Sequence, residues 1–424
     1  MARLGFGAFL APHHPVNEHP YLQFRRDIAL VEHLDKLGYD EFWCGEHHSS
    51  GWEMIASPEM FLAAAAERTG RIRLGTGVVS LPYHHPFNVA QRIVQLDWMC
   101  GGRAIFGSGP GALASDAHVL GIDPMVQRPR QDEAIGIIKR LMKGERVTYK
   151  SEWFELNDAA LQLLPMQEEM EFVVASQISP SGMTLAGKYG AGVISIGSLS
   201  SQGLTALPTQ WGFAEAAAKQ HGQTVDRKNW RVLLNWHIAE TREEARRQAG
   251  PGLLHHHNEY IHGTLQNPGT KPPFSSADEA VDRTAFGEGA VATIGTPDDL
   301  VAKIKSVLAA SGGFGTVIGF VHDWASPENT MRSWDMVARY VVPQINGYLK
   351  ELQTSRDFVA NNREYFDRAK QAILTNIESN AAAKEALKFT NSPRVATSAS
   401  ASNVPDFAKA KGKAKSKGKA KAAE

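Results

Sequence analysis

Cysteine is scarce: Cys44 and Cys100 are the two in 424 residues. That excludes a disulfide framework, and free, buried thiols are the expectation for a protein kept in the reducing cytoplasm. No apolar run approaches the roughly 20 residues of a membrane-spanning helix. The opening Met1-Ala2-Arg3-Leu4-Gly5-Phe6-Gly7 lacks the apolar stretch and small-residue cleavage site of a secretory signal. Net charge is missing too. Lys and Arg total 45, as do Asp and Glu, which argues against a nucleic-acid partner. The balance is uneven along the chain. Seven lysines alternate from Lys409 to Lys421, so the tail is basic and the body slightly acidic.

What is present is an alternation of strand and helix patterns. Short apolar runs fall at residues 4–9, 41–44, 72–79, 103–109, 172–175, 192–195, 232–236 and 315–320. Between them, helical spacing covers 21–37, a stretch opened by Ser57-Pro58-Glu59, then 87–99, 130–143 and 298–310. About eight strands separated by helices predict an α/β protein of parallel βα units, and the length suits an elaborated (β/α)8 barrel. Residues 144–170 read as a hairpin or irregular insert. Residues 245–290 read as a long insertion near the barrel mouth. The predicted division is a barrel over 1–348, a helical extension over 349–390 and a disordered Lys/Ala-rich tail over 391–424.

In such a barrel, reactive groups gather where strands end. Four clusters fall there: Glu46-His47-His48; Gly77-Val78 with His84-His85 beyond it; Ser108-Gly109-Pro110-Gly111; and Ser176 through Gly182. The last is an oxyanion candidate, because small residues at a helix start present backbone N–H groups and the positive end of the dipole. The histidines admit a metal reading, with His47, His84 and His85 serving a barrel hydrolase. Adjacent histidines on a strand point to opposite faces, however. His255-His256-His257 has no matching partner spacing. The expectation is therefore no metal.

These pieces, in order, resemble the bacterial-luciferase-like, flavin-dependent monooxygenase family. The resemblance runs through Gly38-Tyr39-Asp40-Glu41-Phe42-Trp43 into Glu46-His47-His48, then Leu74 to Pro82, His85-Pro86 with Gln91 and Leu96-Asp97, Gly101-Gly102-Arg103 before Phe106-Gly107-Ser108-Gly109, Ala175-Ser176 through Gly182, and Ile294-Gly295-Thr296-Pro297. Gly107 to Leu113, Gly121-Ile122-Asp123-Pro124 and Asn362 to Asp367 resemble the limonene 1,2-monooxygenase-type members.

The resemblance implies a luciferase-type TIM barrel. It implies reduced FMN delivered by a separate NAD(P)H:flavin reductase, since no Gly-x-Gly-x-x-Gly strand-to-helix unit is present. Oxygen transfer from O2 to a small apolar, terpene-like substrate would pass through a flavin hydroperoxide. His47 takes the family's active-site histidine position, as acid/base or to orient the oxygen adduct, with His48 supporting the packing. Gly77-Val78 matches a bulge that is often a non-prolyl cis peptide supporting the flavin ring. Ser108, Ser179, Ser181 and Gly182 fall at the cofactor, with Arg130 at its phosphate end. Phe9, Trp52, Met54 and Trp236 are the expected substrate lining, and Asn235 shares the strand of Trp236. A homodimer is also implied. One departure stands out: luciferases carry Cys-Arg where this chain has Gly109-Pro110. Phosphate binding then leans on backbone N–H groups, the serines and Arg128 or Arg130. Two alternatives stay open at this point, a deazaflavin-dependent hydride-transfer enzyme on the same barrel and the metal-dependent hydrolase.

Overall fold

The computed structural model describes residues 3–11, 13–266, 270–287 and 289–390; the expected tail over 391–424 lies outside them. Eight parallel strands form the frame: β1 (Gly5–Leu10), β2 (Glu41–Cys44), β3 (Arg73–Thr76), β4 (Ala104–Gly109), β5 (Phe172–Ser176), β6 (Gly192–Ser195), β7 (Trp230–Ile238) and β8 (Thr316–Val321). Each pairs with the next, β7 pairs with both β6 and β8, and β8 pairs back onto β1 through Phe9 and Phe320, so the sheet closes. Closure removes the sheet edges that an open arrangement would leave unpaired.

The helices fall where apolar spacing and caps place them. Pro20–Leu37 starts on a proline and ends at Gly38, in the left-handed conformation at φ 92°. Pro58–Ala66 follows Ser57, whose hydroxyl hydrogen-bonds Glu59 at 3.0 Å instead of capping the helix backbone. Residues 144–170 contain the hairpin Val147–Lys150 with Glu155–Ala159.

The late insertion is mostly helical. Arg242–His255 runs into a π-helical stretch, His256–Leu265, and Ala277–Ala285 follows. A further parallel strand, Ala292–Gly295, pairs with the far half of β7. The chain forms two compact units, one ending at Leu349 and one beginning at Lys350. The second carries the helices Lys350–Asn361, Arg363–Glu378 and Ala381–Thr390.

Strand alternation sorts the side chains into two layers. Phe9, Trp43, Ile105, Val173, Leu233 and Ile318 fill the bore. Their neighbours Ala8, Phe42, Phe106, Val174, Leu234 and Val317 pack outward in the main core. Toward the amino-terminal end of the bore, Arg231 is buried between Glu41 (2.7 Å) and Glu171 (2.5 Å). No helix among the described residues is long and apolar enough to cross a membrane.

Candidate active site

The segments that leave the carboxyl ends of the strands build a cleft of about 880 Å³. Val78 lines one part of it, next to the Gly77–Val78 peptide, which is cis. Gly109 to Ala112 form one wall, with Ala175 and Ile196 below. At the other side come Ser179, Pro180, Ser181 and Gly182. These begin the helix Ser181–Tyr189, and the Ser179 and Ser181 hydroxyls lie 2.9 Å apart. Hydroxyls and first-turn N–H groups so placed could hold an anion.

Gly182 is there for close approach. A Cβ on it would sit 2.4 Å from the Ala175 carbonyl oxygen and 2.9 Å from Ser176 Cα. Backbone atoms cannot step aside as a side chain would. Gly182→Ala is expected to cost about 1–3 kcal/mol and to loosen the serine turn. A lower melting temperature together with weaker anion or flavin binding is the expected readout.

Two expected cofactor contacts are corrected. Arg130 is not among the residues that line this cleft; its guanidinium lies 5.2 Å from the Trp153 ring in an adjoining groove with Tyr149 and Glu133. Arg128, Gln131 and Asp132 line the cleft instead. Positions three and four apart share a helix face, whereas 128 and 130 do not. Ser108 is fully buried on the outer side of β4, and Gln131 Nε2 donates to its hydroxyl at 3.4 Å. It supports the wall without lining it.

His47 sits at the same end of the barrel, just past β2. Its Nδ1 is 3.0 Å from Asp116 and its Nε2 2.9 Å from Glu53. Both carboxylates are nearly removed from solvent. Burial alone would lower the proton affinity of the ring. The charge of Glu53 and the hydrogen bonds to Asp116 and Glu53 outweigh it and raise the pKa to about 10. At neutral pH this is an imidazolium whose two N–H groups are both donated. With both ring nitrogens engaged by carboxylates, the arrangement favours a held positive charge over a free base.

Glu53 also meets His13 Nε2 at 3.6 Å and accepts a hydrogen bond from the buried Tyr260 hydroxyl of the late insertion. Sequence reasoning missed Glu53, Asp116, His13 and Tyr260. They come from four separate loops or helices, and a lone carboxylate beside Trp52 carries no periodic signal.

The second histidine pair is organised differently. Glu46 is buried and receives both His48 Nε2 and His84 Nε2 at 2.8 Å, plus the Ser80 N–H. Burial pushes its carboxyl up, but those hydrogen bonds win and hold it at about 2. Among the described residues, this trio alone brings three possible metal-ligand atoms within 4.8 Å of one another. The expected hydrolase set is not assembled. His47 is held by carboxylates, while His85 Nδ1 accepts the Phe87 N–H at a helix start. His255, His256 and His257 diverge onto Trp52, Tyr260 and Phe274.

The expected lining residues divide. Phe9 points into the bore, stacks on Phe320 at 5.9 Å and touches Gly77. Trp52 is buried against His255 and Tyr260, and Met54 is half-buried. Trp236 is a correction. Leu233 points inward, so Asn235 shares its side and Trp236 does not. The indole packs outward on Trp334 at 5.1 Å, in the main core.

The model of the luciferase-like monooxygenase family matches residues 4–314. The chain belongs to this family. The 4-hydroxyprotoasukamycin monooxygenase of Streptomyces nodosus subsp. asukaensis is 47% identical over 369 residues, covering 85% of this chain and 97% of that protein. The limonene 1,2-monooxygenase of Rhodococcus erythropolis is 46% identical over 350 residues, covering 82% and 88%. Among solved structures, the oxygenating constituent of 3,6-diketocamphane monooxygenase from Pseudomonas putida, a type II Baeyer-Villiger enzyme in complex with FMN, superposes with a TM-score of 0.69 at 25% identity, over 80% of this chain and 98% of that one. In this luciferase-like monooxygenase the helices Arg242–His255, His256–Leu265 and Ala277–Ala285 fall between β7 and β8, and three more helices follow Leu349 in the chain.

Proposed function

We propose that this luciferase-like monooxygenase uses reduced FMN and O2 to insert one oxygen atom into a small, largely apolar, terpene-like molecule. The observation that carries the reading is the cleft lined by both Val78 and the Ser179–Gly182 turn. Its volume of about 880 Å³ suits a planar ring system with a phosphate tail, with Val78, Ala175 and Ile196 at one part and Ser179 and Ser181 at another.

The residues fit FMN. Ser179, Ser181 and the first N–H groups of Ser181–Tyr189 would hold the phosphate, with Arg128 beside them. Lys188 is already paired with Asp132 at 2.7 Å, whereas Arg128 has no carboxylate partner among the described residues. Val78 and Ala175 would bound the ring. Bound reduced FMN supplies the electrons that activate O2. The chain's own part is to exclude water with the apolar bore and to hold a positive charge at His47. That charge would stabilise negative charge developing on an oxygen brought to it and would not withdraw a proton.

Two relatives named as monooxygenases, each 46% identical or more over most of the chain, favour oxygen transfer over deazaflavin hydride transfer. A separate NAD(P)H:flavin reductase as electron donor, a homodimer and a cytoplasmic location complete the proposal. The two buried free thiols suit the last of these.

Flavin fluorescence titration tests the cofactor. Arg128→Ala should weaken FMN binding about tenfold or more, since a charge-assisted contact to phosphate is lost. Arg130→Ala should leave it within a factor of two. Protein that fails to bind FMN, oxidised or reduced, would end this reading. With flavin bound and a reductase supplied, label from ¹⁸O2 should appear in the product.

A further inference from the structure

Beside the His47 clamp lies a group of buried nitrogens that the proposed chemistry does not use. His13 Nδ1, on the segment after β1, and His256 Nε2, on the late insertion, are both shielded from solvent and have no hydrogen-bond partner among the described residues. Their rings meet edge to face at 5.0 Å. His322 Nδ1 and Trp324 Nε1, just past β8, are also unpartnered, and their rings stack at 3.6 Å. Buried polar atoms in folded proteins are normally paired, so several unpaired ones in one place call for a ligand or water.

The surroundings narrow what that ligand is. His13 meets Phe320 edge-on at 5.4 Å, Phe320 stacks on Phe9, and Phe9 lies against Gly77. A continuous run of aromatic contacts therefore joins the cis peptide to the two imidazoles. We propose that the substrate of this site carries a neutral oxygen, a ketone or hydroxyl group, which His13 Nδ1 and His256 Nε2 recognise while Phe9 and Phe320 support its hydrocarbon body. The proposal rests on the reading of the cleft as the FMN site and names the substrate class for it.

Charge decides for a neutral group. Two buried carboxylates, Glu53 and Asp116, already take up the donors of His47, and Glu53 also faces His13, so the cluster offers no unpaired positive charge to a carboxylate or phosphate ligand. His256 is held neutral by burial, with its proton affinity well below the usual value. A neutral imidazole nitrogen donates to a carbonyl oxygen in one tautomer and accepts from a hydroxyl in the other. A hydrocarbon satisfies neither nitrogen. A site built to bond an oxygen discriminates strongly against the analogue that lacks it, because its own polar atoms stay unpaired.

The test uses three molecules with one carbon skeleton: limonene, its ketone carvone and its alcohol carveol. Affinity for the FMN-loaded protein is measured by calorimetry, with flavin retention followed by fluorescence in the same samples. Carvone or carveol should bind at least tenfold more tightly than limonene. Transfer out of water alone favours the hydrocarbon, so this order reports on polar recognition. In His256→Leu the preference should fall toward one. Equal or tighter binding of limonene by the wild type overturns the proposal without any variant. A preference that survives both His256→Leu and His13→Leu assigns the two nitrogens to bound water only and also overturns it. Loss of flavin binding, by contrast, refutes the cofactor reading on which the proposal stands.

Discussion

Glu53→Gln should bring the alkaline limit of activity down by about 1–3 pH units, the usual effect of an adjacent opposite charge on a titrating group. In the native protein Glu53 and Asp116 hold His47 as an imidazolium up to about pH 10. With glutamine in place, one of the two charges is gone. Turnover at pH 9 should then fall about twofold for a one-unit shift and about ninetyfold for a three-unit shift, with turnover at pH 6 nearly preserved, because the ring is protonated there in both proteins. Histidine NMR titration and a pH–rate profile check it. An unmoved alkaline limb would remove the charge of His47 from the mechanism.

The same shift is a stability statement. His47 gains its partners on folding, so its contribution is full below its ordinary pKa of 6.5 and is lost as pH rises through about 10. The blunter substitution, His47→Ala, should reduce oxygen transfer about 10²–10⁴-fold. It would also leave two buried carboxylates without a counter-charge, which is why Glu53→Gln is the cleaner experiment.

The largest stability effect is expected at the other end of the bore. Arg231→Met should destabilise the barrel by about 3–5 kcal/mol, the cost of breaking a buried ion pair from one side. The Arg231 side chain is 3% exposed and holds Glu41, 7% exposed, and Glu171. It also lies over Trp43, 5.6 Å from that ring. Removing it places two carboxylates in the same low-dielectric space with Arg73 left to pair Glu171. The urea midpoint should fall sharply at pH 8 and recover in part as the pH drops and the carboxylates protonate. A loss below about 1 kcal/mol would show that the cluster is well hydrated.

Much of the frame was legible in the chain. Each of the eight apolar runs became a barrel strand, and the helices began and ended within a few residues of their caps. The reason is local: strand alternation, proline at helix starts and Gly38 at a helix end act over a few residues. The Gly77–Val78 bulge and the serine turn were legible through resemblance, because both are contiguous in sequence. Arg130 and Ser108 went wrong by facing. A cluster of suitable residues near a strand end does not say which of them turns inward, and one step along β4 or two along the helix reverses the answer.

By itself, then, the sequence determined the barrel, its family and the segments that border the cleft, since periodicity and short motifs are encoded between near neighbours. The tertiary structure alone decided what His47 is. Its ionisation depends on Glu53, a near neighbour in the chain, and on Asp116, 69 residues away, while Tyr260 of the insertion holds Glu53 in place. Electrostatic interaction follows distance in space and loss of water, and neither quantity is written along a chain.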